Sequence, residues 1–249
     1  GHCGNWELLG YTLAVLGFPL HALYRPLDLK PLDRWIYRTR SHRGLTLIDK
    51  FGAAKVLPRV VTSGAPTGFI ADQNAGDRGL FVPFFGRLAS SYKTIALLAM
   101  RYEIPIVCGQ AMRLSGLSAD RAEDGADGVA LDSTGARRRA QIFKYRLVIP
   151  DVIYPHEWKD QPDPQFYITA RYRRAIEQMV RHAPEQYLWM HRYWKSRPRH
   201  EHLGRPFPDR LRDKIAALPW TTDEDIERLV ERSARDAADL ASGKGRKRR

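Results

Sequence analysis

The stretch GHCGNWELLG, residues 1–10, guides the interpretation of the whole fold, because it joins a polar turn to the start of a helix. Asn5 is a residue type favoured at an N-cap, and a helix that begins directly after it places Glu7 in the first turn, where the helix dipole favours a carboxylate. On one continuous helix the side chains of His2 and Glu7 would lie about 140° apart. A turn at Gly4 would instead allow His2 to fold back onto Glu7.

A histidine that a carboxylate orients can act as a general base toward a hydroxyl group. The carboxylate fixes the tautomer of the imidazole and stabilises the imidazolium that forms. His2 and Glu7 are therefore candidate catalytic residues. Their spacing alone is also compatible with a solvated histidine, since H-x4-E occurs by chance in many chains.

Composition and charge narrow the classes of partner and compartment. The 249 residues include 41 Lys and Arg against 28 Asp and Glu, a net charge of +13 that favours phosphates, acidic lipid surfaces or acidic proteins. Cys3 and Cys108 have neither a metal-ligand spacing nor a disulfide framework, which indicates a reducing compartment and no bound metal. The sequence contains no run of 18 apolar residues, so we predict no transmembrane span within it.

Segments with strand character alternate with amphipathic helical segments along the chain. The predicted strands are 18–24, 45–48, 69–71, 104–112 and 141–149, and the predicted helices are 6–16, 31–39, 50–61, 90–101 and 165–182. This alternation predicts an α/β fold with a mostly parallel central sheet flanked by helices. Ligands of such sheets gather at the carboxyl ends of strands, where Arg25 and Asp72 are expected to lie.

The chain is predicted to contain one large domain over residues 1–220, followed by an amphipathic helix at 221–243 and a basic tail at 244–249. An apparent capping box starts that helix. We expect its apolar face to pack against the domain, with apposition to a membrane as the alternative. Residues 115–139 are polar and glycine-rich, and are predicted to form a surface loop of low order.

Four longer segments carry a resemblance to a known family. They are GHCGNWE at 1–7, YRPLD at 24–28, DQNAG with FVPFFG within 72–86, and PEQYLWMH at 184–191. In this order they strongly resemble the late acyltransferases of bacterial lipid A biosynthesis. These enzymes belong to the lysophospholipid acyltransferase superfamily, whose members share an H-x4-D/E motif. The resemblance extends from residue 1 to about residue 198.

The resemblance implies a glycerolipid acyltransferase-like fold and a reaction. A fatty acyl group would pass from an acyl-carrier-protein thioester to a hydroxyl of a lipid A precursor. His2 would take the hydroxyl proton and Glu7 would orient His2, with general-base help worth ~10²–10⁴-fold. The implied partners are acyl-carrier protein, the glycolipid and a membrane surface. No cofactor is expected besides the acyl-acyl-carrier protein as cosubstrate, and no nucleic acid.

The resemblance also implies a set of substrate-binding residues. Arg25 and Arg40 match family positions, and guanidinium groups suit the phosphates of a lipid or of phosphopantetheine, although either could be an ordinary ion-paired surface residue. Segment 79–86 would line the slot for the acyl chain or simply belong to the core. His191 is expected to be a structural histidine rather than a second base. The other expected contacts are Asp72, Gly76, Phe81, Phe84, Phe85, Glu185, His191 and Arg192.

Relatives of this kind carry a core strand and a membrane-anchoring helix before the catalytic histidine. The sequence starts at Gly1 without an initiator Met, so we expect a fragment that lacks both segments. Its parent would lie on the cytoplasmic face of the bacterial inner membrane, bound peripherally or by a single-pass anchor.

Several alternatives remain open from the sequence. Cys3, the pair Ser90-Ser91 and Tyr193 depart from the family pattern, which leaves the acceptor and the acyl-chain length undetermined. The same reaction could serve a phosphatidylinositol mannoside or an ornithine lipid. A basic nucleic-acid-binding protein would also fit the charge, but the sequence shows no helix-turn-helix, RNA-recognition or zinc motif. A catalytically inactive remnant is the third alternative.

Overall fold

The computed structural model describes residues 1–42, 44–114 and 144–243, together with the backbone of two short strands between them. The strands are β1 His21–Tyr24, β2 Thr46–Asp49, β3 Thr67–Gly68, β4 Leu80–Phe84, β5 Arg87–Ser91, β6 Ile106–Arg113, β7 Val129–Leu131, β8 Arg137–Arg139 and β9 Tyr145–Ile153. The helices are α1 Trp6–Val15, α2 Lys30–Ser41, α3 Ala53–Thr62, α4 Thr94–Tyr102, α5 Pro155–Trp158, α6 Pro164–His182, α7 Arg199–His202, α8 Asp209–Ala216 and α9 Asp223–Ala241, with a 3₁₀ helix at Pro184–Gln186.

Three short strands form a parallel sheet in the order β2–β1–β3. His21 of β1 pairs with Thr46 on one side and with Thr67 on the other. Helices α2 and α3 connect these strands, because parallel neighbours need a crossover connection. The mixed α/β class is therefore confirmed. The strand predicted at 69–71 lies earlier, at Thr67–Gly68, and is only two residues long.

The prediction of a mostly parallel sheet holds only for β1 to β3. Strands β4 and β5 form an antiparallel hairpin, and β6 pairs antiparallel with β9. Phe85 and Gly86 join the hairpin with φ angles of 52° and 64°, the positive values that a tight two-residue turn requires. A connection of two residues can join only antiparallel strands. Ser90 and Ser91, predicted to start a helix, consequently end β5.

Helix α6 lies at the centre of the main hydrophobic core. Asp163 caps it by accepting a hydrogen bond of 2.9 Å from the backbone N–H of Phe166. Val82, Phe84 and Ile153, from the neighbouring strands, are fully buried in the same core. Each such side chain contributes about 1.5–3 kcal/mol of hydrophobic stabilisation. The core is therefore sufficient to fix the position of α6, which carries part of the candidate site.

The predicted C-terminal helix is present as α9 and packs against the rest of the chain. Its capping box is formed, since the backbone N–H of Asp225 donates to Thr222 Oγ1 at 3.2 Å and the Asp225 carboxylate accepts from Thr222 N at 3.1 Å. Ile226 and Leu229 are buried in the main core. The apolar face of α9 is thus used for packing within the protein.

A buried cluster of charges fastens the C-terminal helices to the β4–β5 hairpin. Arg197 forms hydrogen bonds of 2.7 and 2.8 Å with Glu201 and of 2.8 Å with Asp236 on α9. It also donates to the backbone carbonyl of Leu88 on β5 at 2.6 Å. Arg87 reaches the same Asp236 carboxylate at 2.7 and 2.8 Å. One carboxylate therefore links the hairpin, the segment before α7, and α9.

Two sequence predictions fall largely outside the described residues. The predicted loop at 115–139 lies outside the described residues except for β7 and β8, which pair antiparallel. The basic tail at 244–249 lies entirely outside them. Among the residues that the structure describes, no helix combines the length and the apolar character needed to cross a bilayer.

We expect Arg197→Met to lower the free energy of unfolding by about 3–5 kcal/mol, because it leaves the buried carboxylate of Glu201 without its cation and removes one of the cations that bind Asp236. Urea denaturation followed by circular dichroism measures this loss. The matched control is Arg212→Met, which breaks an exposed ion pair with Glu227 and should cost under about 1 kcal/mol. Equal losses in the two variants would contradict the anchoring role of the cluster.

Candidate active site

The segment that carries His2 is held to its neighbours by the main chain. The N–H of Asn5 donates to the carbonyl of Ala111 on β6 at 2.8 Å, and the N–H of Leu188 donates to the carbonyl of His2 at 3.1 Å. Gly4 has φ 61°, and a Cβ added to it would lie 2.2 Å from the Ala111 carbonyl oxygen. Only glycine permits this approach, so the chain around His2 is fixed by backbone contacts.

The imidazole of His2 is oriented by Asp72. Nδ1 of His2 lies 2.9 Å from Asp72 Oδ1, and the backbone N–H of His2 donates to Asp72 Oδ2 at 2.9 Å. The Asp72 side chain is fully buried, whereas His2 keeps a small exposed fraction. Burial alone would raise the pKa of Asp72, but the hydrogen bonds from the side chain and backbone of His2 help hold that pKa well below its usual range. An ionised Asp72 makes Nδ1 the protonated nitrogen and leaves the Nε2 lone pair available.

Arg173 of α6 supports Asp72 from the protein interior. Its guanidinium Nη1 donates to the backbone carbonyl of Asp72 at 2.6 Å, and the carbonyl of Ala71 lies 3.3 Å away. The same guanidinium lies 4.0 Å from the centroid of the Phe84 ring. Burial lowers the pKa of Arg173, and the charge of Asp72 is among the influences that oppose this shift. Arg173 thereby positions the main chain that presents the carboxylate.

Two rings enclose the imidazole of His2. The Trp6 ring meets it edge-on with centroids 4.8 Å apart, and His191 lies at 4.5 Å. Nε2 of His191 is 3.0 Å from the side-chain amide nitrogen of Gln73, which makes it the acceptor of that hydrogen bond. Burial and the nearby His2 both lower the pKa of His191. A neutral, hydrogen-bonded His191 fits the structural role expected for it.

The prediction that Glu7 orients His2 is wrong in this geometry. Glu7 instead accepts two hydrogen bonds from Arg40 of α2, one of them 2.9 Å from Nε. The physical reason is the cap: Asn5 Oδ1 accepts from the N–H of Leu8 at 2.9 Å, which starts α1 and places Glu7 in a first turn facing α2. His2 lies before the cap, in the segment that meets Asp72.

The aromatic segment predicted to line an acyl slot belongs mainly to the core and to the hairpin turn. Phe84 is fully buried in the main core, and its contact with substrate stays a prediction. Phe81 packs partly buried against the same core, and Phe85 occupies the turn. The composition of an apolar segment could not separate these positions, because a slot and a core use the same residue types.

The remaining predicted contacts are dispersed. Gly76 lies in a turn with φ 80°, and Arg25 is exposed directly after β1. Glu185 and Arg192 are exposed near the 3₁₀ helix. Of the predicted set, the structure brings His2, Asp72 and His191 together.

Sequence reasoning missed Arg173 and Trp6 as parts of the site. A signal for Arg173 was present, because Phe166, Ala170 and Ile176 mark the buried face of α6 and Arg173 falls within that series. A charged residue on an apolar helix face has to be paired or hydrogen-bonded. No comparable signal distinguished Trp6 from an ordinary packing residue.

The chain matches the family model described as bacterial lipid A biosynthesis acyltransferase over residues 1–118 and 141–196. This is more than half of its length, and the chain therefore belongs to this family of acyltransferases, which confirms the resemblance. It is 28% identical over 199 residues, 79% of this chain, to the lipid A biosynthesis palmitoleoyltransferase of Escherichia coli strain K12. The same values apply to the lipid A biosynthesis acyltransferase of Shigella flexneri. The chain spans 55% of the length of each of these relatives.

We expect the stabilising effect of the Asp72 carboxylate to depend on pH in a defined direction. Because the folded-state pKa of Asp72 lies below its unfolded value of about 4, its contribution is fully present above about pH 5 and is lost as the pH falls further. The unfolding free energy of the wild type should therefore exceed that of Asp72→Asn by less at pH 3 than at pH 7.

Urea denaturation at a series of pH values measures this difference. The matched control is Asp77→Asn, which changes an exposed aspartate and should follow the wild type at every pH. A difference between wild type and Asp72→Asn that does not change between pH 7 and pH 3 would contradict the assigned role of the carboxylate.

Proposed function

We propose that this chain carries the acyl-transfer site of a lipid A biosynthesis acyltransferase. The enzyme would move a fatty acyl group from an acyl-carrier-protein thioester to a hydroxyl of a lipid A precursor. The observation that carries the proposal is the 2.9 Å contact between His2 Nδ1 and the buried carboxylate of Asp72. Membership of the acyltransferase family supports the reaction class.

In this proposal His2 is the general base. Asp72 keeps the proton on Nδ1, so Nε2 accepts the proton of the acceptor hydroxyl while the oxygen attacks the thioester carbonyl carbon. The carbon–sulfur bond then breaks, and the leaving thiolate takes the proton back from Nε2. Asp72 stabilises the imidazolium between these two steps. The acyl group passes directly to the acceptor, and no acyl-enzyme is required.

The ion pair of Glu7 and Arg40 is proposed to bind substrate rather than to transfer a proton. Glu7 engages Nε and Nη2 of Arg40, which fixes the guanidinium and leaves Nη1 to meet an anionic group. Arg25, exposed after β1, could meet a second anionic group. Phosphates of the glycolipid or of the phosphopantetheine arm have the geometry that guanidinium groups bind best.

Contact with the cytoplasmic face of the inner membrane is proposed for α2. Trp35 and Leu32 are 63% and 41% exposed on this helix, and Arg34 and Arg38 are exposed on the same helix. Exposed apolar side chains combined with cationic ones are typical of helices that lie in the interface of an anionic bilayer. This surface would bring the site to its lipid substrate.

For the base, we expect His2→Ala to reduce turnover of acyl-carrier thioester with a lipid A precursor by about 10²–10⁴-fold, because proton removal from the hydroxyl is lost. Asp72→Asn should cause a loss of about 10²-fold or more, since the tautomer of His2 is no longer fixed. Release of free thiol measures the rate, and Asp77→Asn is the matched control. Full activity in His2→Ala would reject the assigned base.

The acceptor and the ion pair need separate measurements. Glu7→Gln and Arg40→Gln should lower kcat/KM to similar extents, and the double variant should lose little more, because the two side chains act as one pair. Strictly additive losses would contradict this arrangement.

Mass spectrometry of lipids from cells with and without the gene tests the acceptor. Acylation of a phosphatidylinositol mannoside or an ornithine lipid, instead of a lipid A precursor, would replace the lipid A assignment.

A further inference from the structure

A cavity of about 660 Å³ lies between α6, α9 and the turn of the β4–β5 hairpin, away from His2. Neither His2, Asp72 nor His191 lines it. Its α9 wall lies beyond residue 196, where the family match ends. We call this cavity the arginine groove, after the six arginines that line it: Arg87, Arg174, Arg181, Arg228, Arg232 and Arg235.

Four of the six arginines are held by carboxylates. The ion pairs are Arg87–Asp236, Arg181–Glu177, Arg228–Asp225 and Arg232–Asp236. Arg174 and Arg235 are exposed and have no carboxylate partner within the part of the chain that the structure describes. The groove therefore presents two uncompensated positive charges, one from each of the two helices that form its walls.

Aromatic and apolar residues form the rest of the groove. Trp194 and Trp220 both line it, together with Leu218 and Leu229. The guanidinium carbon of Arg174 lies 5.3 Å from the centroid of the Trp220 ring. A guanidinium that stacks on a ring keeps its N–H edge available for an anion. The volume of the groove is in the range of sites for small organic ligands, roughly 300–1,000 Å³.

We propose that the arginine groove binds a phosphate ester, with the phosphate between Arg174 and Arg235 and the apolar part against Trp194 and Trp220. Guanidinium groups favour phosphate because two parallel N–H bonds match two of its oxygens. A soluble aromatic phosphate and the headgroup of phosphatidic acid share this chemistry. The site would be additional to the proposed acyl-transfer site and does not depend on it.

Calorimetric titration of the full chain at low ionic strength tests the proposal. We expect saturable binding of phenyl phosphate, of monomeric dihexanoyl phosphatidic acid, or of both, and the tighter ligand identifies the source of the phosphate. Phenol and dihexanoylglycerol, which lack the phosphate, should bind at least about tenfold more weakly. Raising the salt concentration should weaken binding of the phosphate esters, because screening acts on exposed charges. Absence of saturable binding by both phosphate esters would overturn the proposal.

Variants locate the binding to the groove. Arg174→Gln/Arg235→Gln should weaken binding of the phosphate ester by at least about tenfold, since charge-assisted hydrogen bonds are lost. Arg205→Gln, which changes an exposed arginine outside the groove, should bind as the wild type does. His2→Ala should also retain wild-type affinity, which separates this test from that of acyl transfer. Wild-type affinity in the double variant, or in Arg235→Gln alone, would overturn the assignment of these arginines.

Discussion

The candidate site depends on keeping one carboxylate ionised in the protein interior. Removing such a charge from water costs on the order of several kcal/mol, and the cost has to be offset by hydrogen bonds and nearby cations. Asp72 meets this requirement through the two hydrogen bonds from His2 and through Arg173, which binds its backbone carbonyl. His2, Asp72 and Arg173 lie far apart in the sequence, and the fold has to bring them together to keep this carboxylate ionised.

Helix α6 connects the Asp72 carboxylate with the rest of the molecule. Arg173 faces inward to the carbonyl of Asp72, whereas the next residue, Arg174, faces outward to Trp220. Successive residues on a helix diverge by about 100°, which is why one helix can serve a buried site and a surface groove. The carboxylate of Asp236 has a comparable double use, because it binds Arg197 within the core and Arg87 at the groove.

Local signals in the sequence identified much of the fold. The Asn5 cap and the capping box at Thr222 each act over three or four residues, and each was predictable. The partner of His2 was not predictable in this way. Glu7 was close in sequence, but Asp72, 70 residues away, binds the imidazole, and such pairings follow from tertiary packing. The hairpin turn at Phe85 was missed because the apolar residues around it fit an acyl slot or a core segment equally well.

Gly4 has a consequence for how the site can evolve. Its contact with Ala111 leaves no room for a Cβ, so backbone packing fixes the main chain beside His2, while the Asp72 side chain orients the imidazole. Changes of side chain on the outer surfaces can then adjust which molecules are accepted without displacing the reacting nitrogen. A fixed main chain at His2 therefore separates the requirements of proton transfer from those of substrate choice.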